Sequence, residues 1–175
     1  MIAGFAALVR YEGFAAPRIA APAVIPNITP AAARPTLFLA LHPRCPCSAA
    51  TMDELAKIYS RAPGSFAVKA FVYRPAAEAD SWTNSPTVSS LARYGAEIQV
   101  DPDGRDAAAL GLTVSGQTLL YSPEGRLLFN GGITGGRGHR GDNAGADALF
   151  AHVTKAPGAA ATSRAYGCPL SDSQP

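Results

Sequence analysis

The sequence predicts a mixed α/β domain in which the first strand lies at the centre of the sheet. Thr36–Leu41 is a short continuous apolar run, as expected of a strand that is buried on both faces. Helical patterns separate the early strands, which predicts parallel pairing through right-handed crossovers. Two segments joined by a turn, Thr118–Tyr121 and Arg126–Asn130, predict an antiparallel hairpin. The predicted class is therefore a mixed sheet flanked by helices, with an N-terminal tether and a C-terminal extension.

The composition limits both the size of the domain and the kind of partner it binds. The chain has 175 residues, of which 47% are hydrophobic and 16% are charged. This length leaves room for one domain. Fifteen Lys and Arg residues stand against 13 Asp and Glu residues, so the net charge is +2. That balance excludes a polybasic nucleic-acid binder and a strongly acidic tail protein.

The two ends of the chain differ in composition from the middle. Residues 1–35 open on the apolar run Met1–Val9 and continue rich in alanine and proline, which predicts a tether. The apolar run is too short to span a bilayer, which takes about 20 residues. We expect it to be a disordered or interfacial start, or else one part of a membrane anchor. Residues 36–155 are predicted to form the domain, and residues 156–175 a flexible tail that carries Cys168.

Each further element follows from its local pattern. Met52, Leu55 and Tyr59 recur at helical spacing and predict a helix over Ala49–Arg61, with Ser48 as its cap. Apolar runs predict the strands, and proline, asparagine and glycine mark where helices begin and end. The remaining predicted elements are a strand at Ser65–Tyr73, a loop at Arg74–Ser85, a helix at Pro86–Tyr94, a strand at Glu97–Val100, a short helix at Arg105–Leu110 and a last helix at Asn143–Val153.

The three cysteines are the most informative residues of the sequence. Cys45 and Cys47 lie between the end of the predicted central strand and the start of a helix, where α/β sheets usually place their sites. A thiol at a helix N-terminus faces partial positive charge, and Arg44 acts in the same direction, so we expect a lowered thiol pKa. Because the number of cysteines is odd, a single bridge leaves one thiol over.

Around these cysteines the chain resembles the thioredoxin-like superfamily, over roughly Pro35–Val153. The resemblance rests on the strand, Cys-x-Cys and helix at Leu37–Arg61. It rests also on the hairpin at residues 118–128, which is similar to that of thioredoxins and of thiol–disulfide proteins of the bacterial envelope. The run His42–Ser48, together with the glycine-rich segment at residues 131–143, resembles a bacterial subgroup labelled RedB-like.

The resemblance implies a thiol–disulfide oxidoreductase of the cell envelope, on its periplasmic side, with a membrane tether as one alternative. It implies protein thiols or disulfides as substrates and no cofactor. Two departures stand out. Thioredoxins carry Cys-x-x-Cys, whereas Cys45 and Cys47 have a single residue between them. Thioredoxins also place a cis-proline before the Thr of the third strand, and here that position is Gln117.

The roles of the individual cysteines stay open at this point. Cys47 is nearer the predicted helix start, whereas Cys45 corresponds to the exposed first cysteine of thioredoxins, so either is a candidate for the attacking thiolate. Cys168 lies in a tail long enough to fold back to the pair. It is predicted to resolve a mixed disulfide, to form a permanent bridge that holds the tail, or to remain a free thiol or a metal ligand.

Two further groups of residues have functional interpretations. The segment at residues 130–145 contains seven glycines and is either a solvated loop or a passage close to the cysteines, in which His139 or Arg137 would donate a proton or hold an anion. Arg44 and Gln117 are further auxiliary candidates. Trp82 is expected to be a packing residue.

Three other functions remain alternatives. A thiol peroxidase would need a hydroxyl and an arginine beside the attacking cysteine, for which Thr51 and Arg44 are candidates. A copper-binding chaperone would use Cys45 and Cys47, with His42 or Cys168 as a further ligand for Cu(I) or Zn²⁺. In a non-catalytic module the cysteines would only join loops.

Overall fold

The computed structural model describes residues 15–16, 20–25 and 34–171. The strands form one five-stranded sheet in the order β3-β2-β1-β4-β5. The bounds of the strands are β1 Thr36–Leu41, β2 Ala67–Arg74, β3 Glu97–Pro102, β4 Gln117–Tyr121 and β5 Leu127–Gly132. β1 pairs parallel with β2 and antiparallel with β4, while β4 and β5 form the hairpin. The predicted mixed sheet with a central first strand is therefore confirmed.

Helices cover both faces of the sheet. Their bounds are α1 Pro46–Arg61, α2 Pro86–Ser89, α3 Arg105–Ala109 and α4 Ala144–Val153, with 3₁₀ turns at Asp80–Thr83 and Ser90–Tyr94. Because side chains alternate along a strand, Leu39 of β1 joins a core cluster with α1 and α4, and its neighbour Phe38 joins a second cluster on the opposite face. The second cluster includes Leu170, so the C-terminal segment helps to build that layer.

The main difference in element boundaries is at the start of α1. The helix begins at Pro46 and not at Ala49, with Cys45 in extended backbone as its N-cap. Proline suits the first turn of a helix because its missing amide would have no partner there. Ser48 is consequently inside the first turn and does not cap the helix. Its Oγ accepts a hydrogen bond from the His42 amide at 2.9 Å, which fixes the loop before the cysteines.

The segments on either side of residues 36–155 contact the sheet where the structure describes them. The Ile25 amide donates to Gly125 at 3.0 Å, and the Leu127 amide donates to Ala23 at 3.0 Å. The tail lies along β5, where the Asn130 amide donates to Ala161 at 3.0 Å. Most of the predicted tether, including Met1–Val9, falls outside the described residues. Within the described part of the chain, no helix has both the length and the apolar character needed to cross a membrane.

Replacing Asn143 with alanine is expected to lower the free energy of unfolding by about 1–2 kcal/mol. Its Oδ1 accepts from the Ala146 amide at 2.9 Å and caps α4. Its Nδ2 donates to the carbonyls of Ile133 and Gly141, both at 3.0 Å. Urea denaturation measures the change. The matched control is Asn84→Ala at an exposed position, and equal stabilities of the two variants would contradict the capping role.

Candidate active site

The cysteine pair lies at the carboxyl end of the central strand. After β1 ends at Leu41, a tight turn follows, in which the Cys45 amide donates to the His42 carbonyl at 3.1 Å. Cys45 is the N-cap of α1, and Cys47 lies in the first helical turn. Both side chains are buried, Cys45 at 7% and Cys47 at 5% exposure. The strand, turn and helix therefore hold both thiols at a helix N-terminus, as the sequence predicts.

The third cysteine reaches the same place from the C-terminal segment. Residues 168–170 run antiparallel to the loop that precedes β4, with a β-bridge between Val114 and Pro169. The Ser115 amide donates to the Cys168 carbonyl at 2.8 Å, and the Leu170 amide donates to Thr113 at 3.0 Å. The Cys168 amide donates in turn to Ser115 Oγ at 3.0 Å. These hydrogen bonds fix Cys168 against the cysteine pair.

The three thiols form one cluster. Their sulfur atoms all lie within 4.8 Å of one another. Cys45 Sγ is 3.6 Å from Cys168 Sγ and 3.3 Å from Ser115 Oγ. All three cysteines are free thiols in the structure. Cys45 thus has a second thiol from a different part of the chain, as well as a hydroxyl, in direct contact with its sulfur.

Hydrogen bonds make Cys45 the most acidic of the three thiols. The side chain of Cys47 donates to the Cys45 sulfur and lowers the pKa of Cys45 well below the usual range. Hydrogen bonds from Ser115 Oγ and from the amides of Cys47 and Ser48 lower this pKa further, whereas burial raises it. The same contact with Cys45 raises the pKa of Cys47, and burial adds to that rise. Burial, together with the nearby Cys45, raises the pKa of Cys168. These contacts favour the negative charge on Cys45 and the protons on Cys47 and Cys168.

The glycine-rich segment does pass close to the cysteines. The Glu54 carboxylate, on α1, accepts a hydrogen bond from the Gly141 amide at 2.7 Å and holds the segment against the helix. Arg137 Nη1 lies 3.8 Å from Cys168 Sγ. His139 is exposed. Arg137, one of the two candidates in this segment, is thus in contact with a thiol.

Gln117 contributes to the site through the loop before β4. Its side chain is buried, donates to Gly111 at 3.0 Å and to Asn130 Oδ1 at 3.2 Å, and accepts from the Thr113 amide at 3.0 Å. There is no cis peptide bond among the described residues. The side chain of Gln117 thus orders the loop that carries Ser115.

The remaining predicted site residues have other contacts. His42 stacks on Tyr73, with 5.3 Å between the ring centroids, and burial lowers its pKa. Arg44 places its guanidinium 4.7 Å from the centre of the Trp82 ring, which packs edge-on against His42. Among the described residues, the side chains that could hold a metal ion together are those of Cys45, Cys47 and Cys168. His42, which the sequence offers as an alternative ligand, is not in this group.

Ser115 is a residue of the site that the sequence does not predict. Its side chain is fully buried and bonds both the Cys45 sulfur and the Cys168 amide. A signal was present in its position, two residues before Gln117, in the loop that the resemblance places opposite the cysteines. Serine is common in loops, however, so this signal alone does not distinguish a site residue from a turn residue.

The comparisons with known proteins bear on the fold. No protein-family model matches the chain, and no curated protein matches it either. An uncharacterized conserved protein from Geobacillus kaustophilus is 18% identical, with a TM-score of 0.64 and 91% of each chain covered. A hypothetical protein from Sinorhizobium meliloti is 20% identical, with a TM-score of 0.59 and 79% of each chain covered.

A structure described as a putative thiol:disulfide interchange protein from Chlorobium tepidum is 20% identical, with a TM-score of 0.49, and the alignment covers 83% of this chain and 96% of that one. The structure itself confirms the predicted thioredoxin-like fold, because its sheet is mixed and five-stranded, helices flank it, and the cysteine pair follows the central strand. No finding addresses the RedB-like subgroup, which stays a prediction.

Proposed function

We propose that this chain of thioredoxin-like fold is a thiol–disulfide oxidoreductase in which Cys45 is the attacking thiolate. The contact that carries the proposal is the 3.6 Å approach of the Cys168 sulfur to the Cys45 sulfur. The thiolate is the nucleophilic form of cysteine, and the hydrogen bonds to Cys45 favour that form. The site therefore combines a charged sulfur with a second thiol in position to react with it.

The reaction is two successive thiol–disulfide exchanges. The Cys45 thiolate attacks one sulfur of a substrate disulfide, that bond breaks, and the other substrate sulfur leaves as a thiolate. Cys168, after losing its proton to solvent, then attacks Cys45 Sγ. This step breaks the mixed disulfide and releases the second substrate thiolate. Two electrons pass from the pair of cysteines to the substrate, and the protein is left with a Cys45–Cys168 disulfide. The reverse sequence oxidises a substrate dithiol.

Cys47 supports this reaction as a hydrogen-bond donor. Its thiol lies beside the Cys45 sulfur, and its raised pKa keeps the proton on Cys47 at neutral pH. Cys168 is the better resolving residue because it lies on a separate segment, hydrogen-bonded to residues 113–115. This segment places the Cys168 sulfur beside Cys45 without any constraint from α1. Cys47, in contrast, is separated from Cys45 only by Pro46, which lies within the helix.

The geometry favours this reaction over a peroxidase. Arg44 stacks on Trp82. The Thr51 hydroxyl lies against Gly116, so closely that a Cβ atom added to this glycine would be 2.4 Å from the hydroxyl oxygen. A peroxide bound at Cys45 would need both groups at its own oxygen atoms.

The substrates that fit this function are protein thiols or disulfides. We place the protein in the cell envelope, on the periplasmic side, because that is an oxidising compartment in which protein disulfides form and persist. An N-terminal membrane tether is part of this proposal. Fractionation of cells that express the full chain tests the location, and recovery in the cytosolic fraction would contradict it.

Replacing Cys168 with serine is expected to trap the mixed disulfide. When the reduced protein is mixed with oxidised glutathione, Cys168→Ser accumulates an adduct of one glutathione on Cys45, because the resolving thiol is gone. The wild-type protein yields a Cys45–Cys168 disulfide and two reduced glutathione molecules. Mass spectrometry of the alkylated protein and of its peptides distinguishes the two products.

The control is Cys45→Ser, which is expected to form no adduct at the cluster. A wild-type product in which Cys45 pairs with Cys47 and Cys168 stays free would contradict the role given to Cys168. An adduct that forms on Cys168 or Cys47 while Cys45 stays unmodified would contradict the choice of the attacking residue.

A further inference from the structure

The cluster has the geometry of a three-coordinate metal site. Cysteine sulfur bonds a metal ion such as Zn²⁺ at about 2.3 Å. Three sulfurs at that distance in a trigonal plane are about 4.0 Å apart, from elementary geometry applied to the same bond length. The sulfurs of Cys45 and Cys168 are 3.6 Å apart, and all three lie within 4.8 Å of one another. Shifts of a few tenths of an ångström would suffice to place all three on one ion.

The donor set selects the kind of ion. Three thiolates are soft ligands, which favour Cu(I) among the biological metal ions. Structural Zn²⁺ sites almost always have four protein ligands. The cluster in the described residues contains three, and the nearby His42 already accepts a hydrogen bond at Nδ1 from the Arg44 amide, at 3.2 Å. A three-sulfur set without a fourth side chain therefore fits Cu(I) better than Zn²⁺.

The residues around the three sulfur atoms suit a buried metal site that carries excess negative charge. Three thiolates and one Cu(I) carry a net charge of −2, and the Arg137 guanidinium lies 3.8 Å from the Cys168 sulfur, where it offsets part of that charge. Cys45 and Cys47 are almost fully buried, so water has little access to an ion between them. The Ser115 hydroxyl holds both the Cys45 sulfur and the Cys168 amide and thereby orients two of the three ligands.

We propose that the reduced protein binds one Cu(I) ion through the sulfur atoms of Cys45, Cys47 and Cys168. The third ligand comes from the C-terminal segment, so the ion would join that segment to the N-terminus of α1. This site goes beyond the proposed oxidoreductase function, because it needs three thiolates and no disulfide. The ion and a Cys45–Cys168 disulfide exclude each other, since both use the same sulfur atoms.

The experiment is an anaerobic titration of the reduced full-length chain with Cu(I), in competition with a Cu(I) chelator. We expect one ion per chain, with three sulfur neighbours at about 2.3 Å in the X-ray absorption spectrum. Loss of a residue that only orients a ligand costs about 10–100-fold in metal affinity. We therefore expect Cys168→Ser, which removes a ligand, to weaken binding by at least about 100-fold. Ser171→Ala, in the same segment, serves as the control and keeps the wild-type affinity.

A second readout follows the C-terminal segment itself. Cu(I) is expected to slow proteolysis within residues 156–171 of the wild-type chain and to leave Cys168→Ser unprotected. Equal Cu(I) affinity in wild type and Cys168→Ser would overturn the proposal, as would tighter binding of Zn²⁺ or only two sulfur neighbours. The glutathione experiment is performed without metal, so failure of the copper site and failure of the oxidoreductase function give different results.

Discussion

Replacing Cys47 with alanine is expected to raise the pKa of Cys45 by about one to two units. The largest cause of the low Cys45 pKa is the hydrogen bond from the Cys47 side chain. A hydrogen bond to a charged group contributes about 1.5–3 kcal/mol, and one pKa unit corresponds to about 1.4 kcal/mol. The thiolate absorbance of Cys45 in the ultraviolet, followed against pH, measures this shift. Below neutral pH, the variant is expected to react more slowly with iodoacetamide, because a smaller fraction of Cys45 is charged.

A second hydrogen bond to the Cys45 sulfur, from Ser115, provides the control for this prediction. Ser115→Ala removes a contact that also lowers the Cys45 pKa but contributes less than Cys47 does. We therefore expect a smaller upward shift for Ser115→Ala than for Cys47→Ala. An unchanged Cys45 pKa in Cys47→Ala would contradict the proposed role of Cys47 as donor. A fall in that pKa would contradict the assignment of the charge to Cys45.

The sheet could be predicted because its signals are local. Thr36–Leu41 is apolar throughout, and the structure buries every residue of this strand. The start of α1 could not be placed as well, since serine is a far commoner helix cap than cysteine. Contacts within residues 42–48, where Ser48 Oγ accepts from the His42 amide, accompany the start of the helix at Pro46. Local propensity gives the existence of a helix more reliably than its first residue.

The candidate site could be predicted only in part, for a related reason. The close pair Cys45 and Cys47 is visible in the sequence, and Cys168 is a candidate partner for it, but no local pattern places Ser115, 70 positions from Cys45, or Cys168, 123 positions away, against the Cys45 sulfur. The composition of the C-terminal segment predicts a flexible tail. What holds that segment is backbone pairing with residues 113–115 and the burial of a single leucine, Leu170, at 2% exposure. Such tertiary contacts leave no periodic pattern in a sequence.

Replacing Gly167 with alanine is expected to prevent the C-terminal segment from docking and to slow formation of the Cys45–Cys168 disulfide. A Cβ at Gly167 would lie 2.0 Å from the carbonyl oxygen of Ser115, and the backbone there cannot yield without loss of the pairing. Overpacking of this kind costs about 1–3 kcal/mol, and this cost falls on the docked state of the segment. Because 1.4 kcal/mol is about tenfold in an equilibrium constant, we expect disulfide formation to slow by about tenfold or more.

The rate is measured by adding oxidised glutathione, quenching with an alkylating agent at intervals and determining the bridged fraction by mass spectrometry. Gly135→Ala is the matched control, because its added Cβ meets its nearest atom, in Asn143, at an ordinary 3.7 Å. Gly167→Ala should keep the Cys45 thiolate and accumulate the mixed disulfide with glutathione, as Cys168→Ser does. If Gly167→Ala instead forms the Cys45–Cys168 bond as fast as the control, docking of this segment is not what brings the two sulfur atoms together.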